Sequence, residues 1–103
     1  MRFQHMMYVA TAQVTIHLFQ SNSLKDKRQV TRSVLARLRD KFDVSAAEVD
    51  GQDSWNLARL GIACVSGDAS HAQEVVERAI HFIEETRPDL EISDVSTEVI
   101  TLE

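Results

Sequence analysis

The residues of this chain with the clearest chemical potential form a cationic run that begins at Ser23-Leu24-Lys25-Asp26-Lys27-Arg28. Residues 25–41 hold seven of the eleven Lys and Arg residues, but only two of the sixteen Asp and Glu residues. This segment is therefore strongly positive in a chain whose formal net charge is −5. A basic segment on an otherwise acidic molecule predicts contact with an anionic partner rather than a catalytic site.

Most of these cations fall on one side of a predicted helix. At about 100° per residue, four of them form a stripe that flanks the apolar face, and Lys27 is expected to project near the helix start, where backbone N–H groups attract anions. The predicted anion- or RNA-binding residues are Lys25, Lys27, Arg28, Arg32 and Arg39. The alternative is a solvated face whose long side chains cover apolar neighbours. Cations beside a positive helix end oppose the helix dipole, and this unfavourable choice supports the functional interpretation.

The size of the stripe limits the partner. It can neutralise about three or four phosphates, which gives only a moderate dependence of affinity on salt. The acidic remainder of the chain opposes general coating of nucleic acid. Structured RNA at a defined site, or an acidic protein surface, therefore fits better than DNA, for which no binding is expected.

Carboxylates gather around a predicted hairpin at Glu48, Asp50 and Asp53. If the strand continues, Glu48 and Asp50 lie on one side of it, where they could bind a hard cation such as Mg²⁺. They could instead pair with the basic helix or simply be solvated. We predict no metal site, because the four histidines also lack the spacing of metal ligands.

Catalytic motifs are missing from the sequence. Cys64 lies in the middle of a predicted strand, and no neighbouring base is indicated that would activate it. No Gly-rich phosphate loop, G-x-S-x-G or C-x-x-C motif occurs. We therefore expect a protein that is not an enzyme and that needs no cofactor.

Trp55 follows a polar loop and has two interpretations. It covers the edge of the core, or it presents an aromatic ring to a partner. Because the six aromatic residues are scattered, base recognition of the RRM type is not expected.

The hydrophobic pattern predicts alternating elements. Residues 8–19 alternate with period 2, as in a strand, and a helix at about 24–41 follows an N-cap at Ser23. A second helix is expected from a capping box formed by Ser70 and Gln73, and ends before Pro88. The remaining strands are predicted at Val44–Val49, Leu57–Ser66 and Ile92–Leu102, with a hairpin turn around Asp50–Asn56.

The element order β-α-β-β-α-β predicts a ferredoxin-like α+β sandwich, a four-stranded antiparallel sheet with both helices on one face. The other sheet face is left uncovered by the helices. It would carry the odd-numbered residues of the first strand, from Val9 to Phe19, and could dock a partner or form a homodimer. The predicted partner contacts are Trp55, His17 and Phe19.

Length and composition predict one domain at residues 7–103, preceded by an N-terminal extension at residues 1–6. The single cysteine excludes an internal disulfide, and a reducing cytoplasm fits this best. No apolar run approaches the length of a membrane span, so no membrane association is expected.

Four stretches together resemble the YlxP-like family of small bacterial proteins of unassigned function. They are the Ser23–Arg28 motif, Phe42–Asp50, Asp53-Ser54-Trp55 and Leu60–Ser66. The resemblance covers about residues 7–100. It implies a ferredoxin-like fold and a gene often found near those for translation initiation and ribosome-binding factors. It implies no catalytic residues.

The sequence therefore predicts a binding protein that contacts RNA or a ribosomal particle through the basic helix, in ribosome maturation or translation. The alternative is a protein-interaction module or homodimer that uses the uncovered sheet face and has no nucleic-acid role. A third hypothesis is a sensor that binds a small anion at the helix start.

Overall fold

The computed structural model describes residues 6–103, which form one antiparallel sheet and two helices. In chain order the elements are β1 (Met7–Leu18), α1 (Leu24–Lys41), β2 (Ser45–Asp50), β3 (Leu57–Ser66), α2 (Ala69–Thr86) and β4 (Leu90–Leu102). The strand order across the sheet is β2-β3-β1-β4. This arrangement confirms the predicted ferredoxin-like fold.

The core lies between the helices and one face of the sheet. On β1 the alternation leaves the even-numbered residues from Ala10 to Leu18 buried, with Val14 and Ile16 fully inaccessible. The six apolar positions of α2 predicted from their helical spacing are all buried: Ala72, Val75, Val76, Ala79, Ile80 and Ile83. Burying each large aliphatic side chain contributes about 1.5–3 kcal/mol, and this burial holds both helices on the same sheet face.

The two helices begin with different caps. Ser23 caps α1 as predicted, since its hydroxyl accepts a hydrogen bond from the Asp26 N–H at 3.1 Å. The predicted capping box at Ser70 is wrong. Asp68 caps α2 by accepting from the His71 N–H at 3.2 Å, and Ser70 lies within the first turn. A helix that starts two residues earlier satisfies the same orphan N–H groups with a stronger, charged acceptor.

A bulge in β2 decides which way its carboxylates point. Glu48 pairs with Leu60, a core residue, whereas Asp50 pairs with Arg59 on the uncovered face, and the register shifts between them. Glu48 and Asp50 therefore lie on opposite sides of the sheet, and the predicted shared side is wrong. The bulge inserts Val49 as an extra residue and so reverses the alternation.

Within residues 6–103, no helix is sufficiently long and apolar to cross a membrane. The predicted N-terminal extension lies outside the described residues except for Met6.

Candidate anion-binding surface

Four cations of α1 lie exposed along one shoulder of the helix, and we call them the basic stripe: Lys25, Arg28, Arg32 and Arg39. The buried face of α1 is centred near Lys27, Thr31 and Leu38. At about 100° per residue, Arg28 and Arg39 lie about 80–100° from the centre of this face, and Arg32 and Lys25 about 120–140° from it. The stripe therefore runs from the flank of the helix toward its solvent side.

Three members of the stripe have no protein partner. Within residues 6–103, Lys25, Arg28 and Arg32 form no ion pair, donate no side-chain hydrogen bond and lie over no aromatic ring. Apart from Arg39, the other described Lys and Arg side chains all have a partner. Four form ion pairs, namely Lys27–Glu48, Arg59–Asp50, Arg78–Glu74 and Arg87–Asp89. Arg37 and Lys41 lie over the Phe82 ring. The unpartnered cations are therefore neighbours on one surface.

Arg39 has a structural role at the far end of the stripe. Its Nε and Nη2 donate to the Ala46 carbonyl oxygen at 3.1 and 2.5 Å. Ala46 lies in β2, an edge strand of the sheet. Arg39 therefore ties the last turns of α1 to the sheet edge, and its charge stays on the same surface as the three free cations.

Lys27 does not belong to this surface, which corrects its prediction as an anion contact. Its side chain is 1% exposed, and its Nζ lies 2.9 Å from Glu48 Oε2. The same nitrogen donates to the carbonyl oxygens of Gly51 at 2.5 Å and Leu57 at 3.3 Å. All three donors of the ammonium group are thus satisfied, since position 27 faces inward and the long side chain reaches the hairpin.

The hairpin loop carries Trp55 to the start of α1. The Ser21 hydroxyl hydrogen-bonds the carbonyl oxygens of both Ser23 and Trp55. Two oxygens that share one hydroxyl at ~3 Å each lie within about 6 Å of one another. Trp55 is 50% exposed, so it covers only part of the core edge and presents the rest of its ring to solvent, on the loop that reaches the start of α1.

The other predicted partner contacts lie at one end of β1. His17 is half-buried on the uncovered sheet face, and its ring centroid is 6.2 Å from that of Phe19. Phe19 is 66% exposed, but it follows the last residue of β1 and lines a depression with Ile83 and Pro88. Phe19 therefore lies beyond the strand, beside the end of α2, and not with the apolar residues of the uncovered face.

Those residues gather at the opposite end of β1, in what we call the apolar patch: Met7, Val9, Val65, Ile100 and Leu102. Val9 pairs laterally with Val65 on β3 and with Ile100 on β4, and Met7 pairs with Leu102. Sequence reasoning found only Val9, since the others join it through strand register. The alternation within each strand shows which residues face the same side. Only the register between strands shows which of them are neighbours.

Two observations concern metal and nucleophilic chemistry. Within residues 6–103, no group of three or more His, Cys, Asp or Glu side chains is arranged to hold a metal ion. Burial raises the pKa of the Cys64 thiol above its ordinary value, and the charge of Asp43 raises it further. A buried thiol with a raised pKa stays protonated at neutral pH, which makes it a poor nucleophile.

A family model and a known protein match most of the chain. A family model described as "Protein of unknown function (DUF503)" matches residues 9–97, a range that includes the basic stripe and Trp55. The "Uncharacterized protein YlxP" of Bacillus subtilis (strain 168) is 35% identical over 81 residues, which cover 79% of this chain and 87% of that protein.

Proposed function

The chain belongs to the DUF503 family, and from this premise we propose that it is a non-enzymatic RNA-binding protein that uses the basic stripe, with ribosomal RNA or a ribosomal particle as its partner. The observation that supports this most directly is the clustering of Lys25, Arg28 and Arg32, the cations without a partner in the described part of the chain. A role in ribosome maturation or translation follows from the gene context that the family resemblance implies.

The surroundings of the stripe favour RNA over an acidic protein. Lys25, Arg28 and Arg32 span about 10 Å along the helix axis, since each residue rises 1.5 Å. Their exposed neighbours on α1 are polar or small, namely Gln29, Ser33 and Ala36. A protein interface usually needs an apolar or aromatic centre, and the exposed α1 side chains around the stripe supply none. Phosphate groups need only cations and hydrogen-bond donors.

Ribosome co-sedimentation at two salt concentrations tests the proposal. The variant with Lys25→Glu and Arg28→Glu is expected to lose the co-sedimentation that the unmodified chain shows at low salt. The matched control carries Arg37→Glu and Lys41→Glu, an equal charge change on the opposite shoulder of the same helix, and is expected to retain binding. Equal loss in both variants, or retention in both, contradicts a role for the stripe.

We propose homodimerisation through the apolar patch as the second candidate function. Four of its side chains are more than two-fifths exposed, with Val65 at 59%, Leu102 at 47%, and Met7 and Ile100 at 42% each. From strand spacing and rise, the uncovered sheet face presents about 650 Å². A standard interface buries ~800 Å² per partner, so a second copy packed face to face would form a weak dimer. Sedimentation equilibrium tests this, because a monomer at millimolar concentration contradicts it.

A further inference from the structure

We propose that the basic stripe and Trp55 form one binding site for an unpaired segment of RNA, in which a base stacks on the Trp55 indole while Lys25 and Arg28 hold the adjoining phosphates. This inference rests on the proposed function and specifies the class of RNA. The stripe alone accounts for contact with any polyanion. An exposed aromatic ring on the loop that reaches the start of α1 accounts for contact with bases.

The position of Trp55 in the hairpin loop is fixed from several sides. Lys27 donates to the carbonyls of Gly51 and Leu57, which flank the loop. The Leu18 N–H donates to the Asn56 carbonyl at 2.9 Å, and Ser21 donates to the Trp55 carbonyl itself. The backbone around the indole is therefore held before any ligand arrives. A preorganised platform loses little conformational entropy on binding, which is what a stacking site requires.

Lys27 supports this site indirectly, although its buried ammonium group cannot contact a ligand. The residue lies in the first turn of α1, between Lys25 and Arg28 in sequence, and its Nζ bonds the loop that carries Trp55. One side chain thus joins the start of α1, which carries Lys25 and Arg28, to the loop that carries Trp55. We assign Lys27 as a positioning residue of the site.

An unpaired strand fits this site better than a duplex. In A-form RNA the bases are stacked within the helix, and the deep major groove excludes side chains. A ring that projects from a short loop can stack only on a base that is already unstacked, such as one in a loop, a bulge or a single-stranded end. Duplex RNA would engage the stripe alone and leave the indole in solvent.

Fluorescence provides a direct test, since Trp55 is the single tryptophan of the chain. The probes are a twelve-nucleotide oligouridine and a blunt-ended RNA duplex with a similar number of phosphates and no unpaired base. Oligouridine is expected to quench the Trp55 emission saturably and to protect it from acrylamide. The duplex is expected to bind without changing the emission.

Two variants separate stacking from charge. With fluorescently labelled oligouridine, Trp55→Leu is expected to weaken binding at least ~5-fold and to leave the salt dependence unchanged. Trp55→Phe keeps an aromatic face and is expected to recover part of that loss. Thermal melting by circular dichroism identifies any variant that has lost its fold, and the quenching experiment needs no variant.

The outcomes distinguish this inference from the function on which it rests. If neither RNA binds at low salt, the proposed function fails and the inference fails with it. If both RNAs bind with equal affinity, Trp55 emission stays constant and Trp55→Leu has no effect, the stripe is an RNA contact but Trp55 is no part of it. That second result overturns the inference alone.

Discussion

Lys27 and Glu48, which are 21 residues apart, form an ion pair with a nitrogen–oxygen distance of 2.9 Å beneath the surface of the molecule. The pair connects the first turn of α1 to the strand before the hairpin loop. Glu48 is 18% exposed and Lys27 only 1%, so the lysine is the more fully desolvated partner. This contact separates one cation of the basic motif from the surface that the others form.

Replacing Lys27 with methionine is expected to destabilise the fold by about 3 kcal/mol or more, because a desolvated carboxylate and two carbonyl oxygens lose their donor. Urea denaturation measures this loss. Lys25→Met, two residues away on the exposed stripe, is the matched control and is expected to change the free energy of unfolding by less than about 0.5 kcal/mol. Adding Glu48→Gln to Lys27→Met should restore part of the stability. Equal effects of Lys27→Met and Lys25→Met would contradict the buried pair.

The cap of α2 gives a second prediction. Asp68→Ala removes the acceptor of the His71 N–H and should lower the free energy of unfolding by about 1 kcal/mol. Ser70→Ala lies inside the first turn and should be close to neutral. Thermal melting of the two variants distinguishes them, and a larger loss for Ser70→Ala would mean that the helix starts at Ser70 after all.

Acid should weaken the connection between α2 and β4. The hydrogen bond from Arg87 holds the pKa of Asp89 below its ordinary value of 3.8. Since the folded-state pKa is the lower one, the pair stabilises the protein above pH ~4, and this contribution is lost as the pH falls through the folded-state pKa. The side chains of Arg87 and Asp89 are 19% and 30% exposed, so we expect less than about 1 kcal/mol.

Asp89→Asn tests this sign. The stability difference between wild type and variant, measured by urea denaturation, is expected to be present at pH 7 and to shrink toward pH 3. A difference that stays constant over this range would show that the Asp89 charge is not involved.

The apolar patch predicts a concentration-dependent oligomer that a single charge disrupts. Val65→Asp places a carboxylate in the patch beside Val9 and is expected to shift the sedimentation-equilibrium mass to that of a monomer. Val95→Asp is the comparison, because Val95 is 42% exposed on the side of β4 that pairs with Val14 and not with the patch. If both variants dimerise as wild type does, the patch is not the interface.

The spacing of apolar residues in the sequence predicts much of the fold. The helical spacing of Ala72, Val75 and Ile83 identifies the buried face of α2, and the period of two on β1 identifies its core side. These patterns depend on local repetition, which one strand or helix contains within itself. The rules for connecting consecutive strands and helices then leave few possible topologies for this order of elements.

Whether a basic residue is buried or exposed depends on tertiary contacts, which the hydrophobic periodicity does not predict. Lys27 occupies the centre of the buried face of α1, but a scale of hydrophobicity treats it as a surface residue. Its burial requires Glu48 to point toward the helix and the hairpin carbonyls to lie within reach. The bulge after Glu48 reverses the direction of Asp50, and nothing in the local spacing specifies where a strand takes an extra residue.

The salt dependence of RNA binding tests the central claim most directly. For single-stranded RNA each neutralised phosphate contributes about −0.7 to the slope of log affinity against log salt, so three contacts predict a slope near −2. Fluorescence anisotropy with labelled oligouridine measures it for the wild type and for the variant carrying Lys25→Gln, Arg28→Gln and Arg32→Gln. The control carries Arg37→Gln, Lys41→Gln and Arg78→Gln, which remove the same charge elsewhere. A slope near −2 in wild type and control, and near zero in the stripe variant, is the predicted result. An unchanged slope in the stripe variant, or binding that ignores salt in the wild type, would contradict the account.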